Sequence, residues 1–165
     1  MDLIRRLRVT EPAPEQMRRV DRVIHDGVMD ADQVVFDAAT GTVTIPFAQE
    51  PDNFEDLPGP PLERPVLRRT TWRYREYRVP LYRAVLLLRR VRSFDMGTTG
   101  EAWGYLTQLK WEPRLSRIRI PLGARDDAVA VVESFDLEVR LTAGRAGSIR
   151  RRIGRFTAIE TDRWR

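Results

Sequence analysis

The one histidine of the chain, His25, stands beside Asp26, with Asp30, Asp32 and Asp37 following. An imidazole among carboxylates is the material of a general base or of a metal site. The spacing argues against both. Adjacent residues on a helix point apart, and there is no second His to complete a zinc site. The aspartates also miss the alternate positions and the sixth-place Gly of a calcium loop. His25 and Asp26 read more simply as the end of a helix. Nucleophilic chemistry has as little to work with. The chain has no Cys, and none of Ser93, Ser116, Ser134 and Ser148 sits in a Gly-x-Ser-x-Gly elbow. Gly97-Thr98-Thr99-Gly100 lacks the trailing Lys of a phosphate loop, and Gly144 and Gly147 lack the dinucleotide spacing. No catalytic residue, metal or cofactor is assigned. A carboxylate pair brought together by the fold stays open, because two acids can meet from anywhere in a β protein.

Binding chemistry has more support. Arg68-Arg69-Thr70-Thr71-Trp72-Arg73-Tyr74-Arg75-Glu76-Tyr77-Arg78 interleaves cations with aromatic rings. A sheet that presents rings among arginines holds single-stranded nucleic acid by stacking and phosphate contact. Read as one strand, the segment puts Trp72 and Tyr74 on one face and Arg73, Arg75 and Tyr77 on the other. The plainer reading makes the first face core and the second a solvated surface. Two more basic sets belong with it: Arg117 and Arg119 on a later strand, and Arg150, Arg151, Arg152 and Arg155 near the end. A fourth candidate is Asp52-Asn53-Phe54-Glu55-Asp56-Leu57, two apolar residues among acids. It reads as a docking peptide for a basic groove, or as a solvated loop whose Phe54 caps the core.

Charge is distributed in blocks. Of 29 basic residues, 28 are Arg and one is Lys110, a ratio that codon bias in a GC-rich genome explains as readily as function. Residues 1–66 hold 7 basic and 13 acidic groups, and residues 67–125 hold 14 and 4. Residues 126–139 hold 0 and 5, and residues 140–165 hold 8 and 2, for a net +5. Either the blocks pair across the fold, or the basic ones converge on a face that attracts an anion, nucleic acid or acidic protein.

The elements that must position these residues are mostly strands. Residues 3–9 form a short helix or an opening strand. A helix starts with Pro14 in its first turn, buries Met17, Val20 and Ile24, and stops at Gly27. Residues 33–47 read as a hairpin about Ala38-Ala39-Thr40-Gly41. Five prolines and five acids in residues 48–66 preclude regular structure there. Strands follow over 69–79, over 81–94 as a central strand buried on both faces, over 101–111 and over 115–122. One or two more run over 128–142, a turn falls at 143–147, and a last strand covers 149–161. The 165 residues thus predict a single, mainly β (α+β) domain: an antiparallel sandwich or half-open barrel of about seven or eight strands with one N-terminal helix. The greasiest run, Leu81 to Leu88, is interrupted by Arg83, so no membrane span is expected, and without an export signal the expected location is cytoplasmic.

Ile24-His25-Asp26, Val34-Val35-Phe36-Asp37 and Thr42-Val43-Thr44-Ile45 together resemble the opening of small uncharacterised bacterial β-rich proteins, some of them toxin-immunity-like. Leu86-Leu87-Leu88-Arg89-Arg90-Val91 and Leu109-Lys110-Trp111 fall where such proteins carry later strands. The chain departs from that pattern at Gly27 and in its Pro-rich loop. The resemblance spans about a quarter of the chain and implies no specific activity and no catalytic residues to carry over. The expectation is therefore a non-catalytic interaction domain for a protein partner or for self-association. The alternatives are a nucleic-acid module, and a small-ligand binder or carboxylate enzyme.

Overall fold

The computed structural model describes residues 2–154 and, for the backbone alone, 160–163. Arg155 and the tail's Trp164 lie outside the described residues. The elements in chain order are β1 (Leu3–Val9), α1 (Pro14–Ile24), β2 (Gly27–Asp30), β3 (Val35–Asp37), β4 (Thr42–Gln49), β5 (Val66–Thr70) and β6 (Tyr74–Leu88). There follow β7 (Val91–Asp95), β8 (Trp103–Leu106), β9 (Lys110–Glu112), β10 (Arg117–Leu122), β11 (Arg125–Val132), β12 (Leu137–Gly154) and β13 (Glu160–Arg163).

The strands form two open antiparallel sheets. The larger runs β1-β12-β6-β4-β2-β8, with β3 on β4, β5 on β6 and β13 on β12; the smaller runs β7-β11-β10-β9. One apolar cluster joins them. Leu86 and Val139 of the first sheet, Ile118, Ile120 and Ala130 of the second, and Val20 and Ile24 of α1 are all buried in it. The mainly β, sandwich-like fold with one helix is the class that the period-two pattern indicates, and neither sheet closes into a barrel.

Of the two readings of residues 3–9 the structure has the opening strand, with Leu7 and Val9 buried against β12. Several other elements depart from the sequence reading. The helix ends at Ile24, before Gly27, with His25 as its C-cap and Asp26 turning the chain at a left-handed φ of 62°. Gly27 already belongs to β2, where an added Cβ would come within 2.6 Å of the Phe47 ring. Its lack of a side chain is thus a packing requirement. The run 69–79 is broken by a turn at 71–73 into the end of β5 and the start of β6, because Thr71 pairs back onto Tyr74 through N–H···O and side-chain bonds. The run 81–94 breaks at Arg90, whose φ of 58° sends β7 to the other sheet. The run 101–111 divides likewise into β8 and β9. Residues 143–147 are not a turn; they are bulges within β12, which passes straight through them.

The acidic loop is ordered. It contains a 3-10 turn, Pro51–Phe54, and Phe54 and Leu57 are buried in the core. Arg5 holds it from beneath: its guanidinium donates to the carbonyls of Phe54 (2.6 Å), Glu55 (3.3 Å), Leu57 and Pro60 (2.7 Å). Gln49 and Asn53 tie its start to the carbonyl oxygens at the end of α1. Phe54 therefore caps the core, as the plainer reading has it.

Candidate interaction surface

β6 and β12 are both longer than the sandwich needs. Residues 82–88 of β6 pair with β4, and residues 3–9 pair with 137–142 of β12. Beyond them, among the described residues, 74–81 and 147–154 pair only with each other and with the flanking β5 and β13. This four-stranded extension is here called the arm. Its register sets Arg78 opposite Arg150, Tyr77 opposite Arg151, Glu76 opposite Arg152 and Arg75 opposite Ile153. β5 adds Arg69 opposite Glu76, with a bulge at Arg68. Two basic segments more than seventy residues apart in the chain thus become neighbours.

Alternation along the strands then sorts the side chains. Glu76, Arg78, Arg150 and Arg152 share one face, and Tyr77, Val79, Ile149 and Arg151 share the other. On the first face Arg78 donates to the Ser148 hydroxyl at 3.1 Å, and Arg152 donates to Glu76 at 2.9 Å. The bond from Arg152 holds the Glu76 carboxyl below its usual range against the opposing effect of burial, helped by the charges of Arg150, Arg152 and Arg69. Two adjoining hollows open here. One of about 370 Å³ is lined by Arg68, Arg78 and Arg150 with Glu76. The other, about 400 Å³, shares Arg68 and Arg78 and adds Arg64, Arg145 and Glu63. Five guanidiniums therefore line them against two carboxylates. Glu63 is bonded by Arg145 and Glu76 by Arg152.

Trp72 and Arg73 cap the arm in the β5–β6 turn. Trp72 is 73% exposed, and the Arg73 guanidinium lies 4.5 Å from its ring centroid. Trp72 is thus not core. Tyr74 is half-buried under Arg152, and Arg75 is exposed. Arg151 is bonded to Glu50. Arg117 and Arg119 are not brought to this surface. They lie on β10 in the other sheet, where Glu112 takes both and Asp127 lies 4.0 Å from Arg119.

Elsewhere one acidic block pairs within the chain. The acidic stretch 126–139 meets arginines of β1, β12 and the β6–β7 turn. Asp136 takes Arg8 and Arg89, and fully buried Glu138 takes Arg6, Arg89 and Arg140. Burial alone would raise the Glu138 carboxyl, but the hydrogen bonds and charges of Arg140 and Arg89 bring it from 4.5 down to about 2. A carboxyl so held carries no proton at neutral pH, so Glu138 is no general acid. The sequence signal for it was present in the alternation Arg6-x-Arg8 and Asp136-x-Glu138, but nothing local says that the two stretches meet. His25 Nδ1 lies 3.2 Å from Asp26 on an exposed turn. Among the described residues no group of three or more His, Asp or Glu is placed to hold a metal ion. None of their helices is long and apolar enough to cross a membrane. A larger hollow of about 840 Å³, floored by Val28, Pro46, Ala48 and Val85 beside Trp103, lies on the larger sheet. It has Asp30, Asp32 and Arg83 at its margins.

Compared with protein-family models, with curated proteins and with solved structures, the chain has no match.

Proposed function

We propose that the protein is a non-catalytic binding domain and that the arm is its contact surface for an acidic protein partner. One observation carries the reading. Asp136, Glu138 and Glu112 are engaged by arginines of the body, whereas the arm, among the described side chains, gathers arginines from β5, β6 and β12 around Glu63 and Glu76, both already engaged. A surplus of cations on one face raises the local concentration of anionic partners and speeds their association. Guanidiniums with a planar fork of donors suit carboxylates in particular.

Titration with fluorescein-labelled polyglutamate and with a labelled single-stranded oligonucleotide, at low and near-physiological salt, tests this. Polyglutamate should bind, with an affinity that falls as salt screens the contact, and the triple substitution Arg68→Glu, Arg78→Glu, Arg150→Glu should abolish binding. If neither probe binds at low salt, or if the triple variant binds as before, the reading is wrong. Nucleic acid is the second reading, favoured by the exposed Trp72 ring beside Arg73. It takes first place if the oligonucleotide binds more tightly at near-physiological salt and Trp72→Ala weakens it.

A further inference from the structure

β5 is a sheet edge that nothing covers among the described residues. It pairs with β6 on one side only, and all five of its residues are exposed. A free edge presents a row of unpaired N–H and C=O groups, a template for one more strand. Native edges of this kind are commonly shortened and charged so that they do not recruit copies of themselves. β5 is short, bulged and charged, and its charge has a direction. In a symmetric antiparallel pair of two β5 strands, Arg68 would face Arg68 and Leu67 would face Arg69. Four arginines would then crowd one short ladder, where like charges directly opposite destabilise pairing. A second copy is a poor occupant. A strand bearing carboxylates at those positions reverses the sign of every one of these contacts.

Apolar positions on both faces complete the fit. Val66 and Leu67 are each 50% exposed, and Ile153, two strands away, is 44% exposed. Val66 sits across from Arg78 and Leu67 across from Tyr77, so successive side chains of an added strand would meet an apolar neighbour on either face. Resting on the binding role proposed above, we propose that β5 takes up an extended segment of a protein partner as an added strand. That segment alternates acidic with apolar residues, its carboxylates lying toward Arg68, Arg69 and Arg78. Main-chain hydrogen bonds would supply affinity and the arginines selectivity, as in other cases of strand addition.

The test uses a labelled peptide alternating Glu and Val, with two derivatives N-methylated on alternate residues, one in each register. Only every second residue of an added strand turns its N–H toward the edge. One derivative should therefore bind at least roughly tenfold more weakly than the parent and the other within about twofold of it. Arg68→Glu, at a residue fully outside the core, should weaken the parent peptide by a similar roughly tenfold factor; far-UV circular dichroism confirms that the variant is folded. Equal binding of both derivatives, or equal loss in both, overturns strand addition. If the parent still binds and Arg68→Glu still weakens it, the arm remains the contact surface. An oligonucleotide that outcompetes the peptide also overturns strand addition and promotes the nucleic-acid reading. No binding of the parent peptide or of polyglutamate overturns both proposals.

Discussion

Glu138 is the residue on which most charge depends: three arginines from three elements converge on one fully buried carboxylate. Because its folded value lies near 2 and its ordinary value is 4.5, the stability it contributes is complete above pH 4.5. That contribution, on the order of 2–3 kcal/mol, is lost as pH falls through the window down to about 2. Urea denaturation across that range should trace the loss, and in Glu138→Gln the slope should flatten. At neutral pH Glu138→Ala takes the buried carboxylate away from three partly exposed arginines and should cost about 1–3 kcal/mol. Arg5 is the other decisive residue. It bonds only to main-chain carbonyls, so Arg5→Ala orphans several acceptors at once and should cost about 2–4 kcal/mol. It should also open residues 51–60 to limited proteolysis, because Gly59 packs so closely that an added Cβ would meet the Ile4 carbonyl at 2.5 Å. Cleavage no faster than in the wild type would show that the clamp does not hold the loop.

β6 and β12 each serve two structures. Their inner halves, rich in buried Leu and Val, are the centre of the sandwich, and their outer halves are the arm. The bulges between Leu141 and Gly147 separate the two regimes, and Gly147 takes a φ of 114° with open space around it. Gly147→Ala should therefore cost about 1–3 kcal/mol from backbone strain alone, read as a fall in Tm, with no steric component for a neighbour to relieve. The arm should also open more readily than the body. Amides of residues 66–78 should exchange through local opening and those of 84–88 only through global unfolding, although 74–88 is one continuous strand. Uniform protection along β6 in a hydrogen-exchange experiment would contradict this. Trp72→Ala, by contrast, should change stability by no more than about 0.5 kcal/mol, because its ring supports nothing.

At the scale of the whole molecule, Asp136, Glu138 and Glu112 are engaged by the chain's own arginines, and among the described side chains arginines outnumber carboxylates in the hollows of the arm. Raising salt should therefore shift the melting temperature little, since exposed pairs each contribute about 0–1 kcal/mol, while weakening polyglutamate binding steeply. Comparable sensitivity of both would mean that the arm is no more available than the rest of the surface. The mainly β class, the helix from Pro14, and the hairpin at 38–41 are legible in the residues, because period and turn chemistry act over a few positions. The exclusions are legible too, since a single His and no Cys leave little for common catalytic sites. The strand breaks at Arg90 and at 71–73 are not, because an apolar or Arg–aromatic run looks the same whether it continues or folds back. Nor can any local pattern say that Arg150 lies beside Arg78, that Arg117 and Arg119 are spent on Glu112, or that Arg5 grips a loop fifty residues away. Sheet pairing is long-range: which segments meet follows from burying both sheets and the helix in one core. Composition and periodicity thus settle what kinds of element exist and how much charge they carry. Only their assembly decides which charges neutralise each other and which are left facing outward.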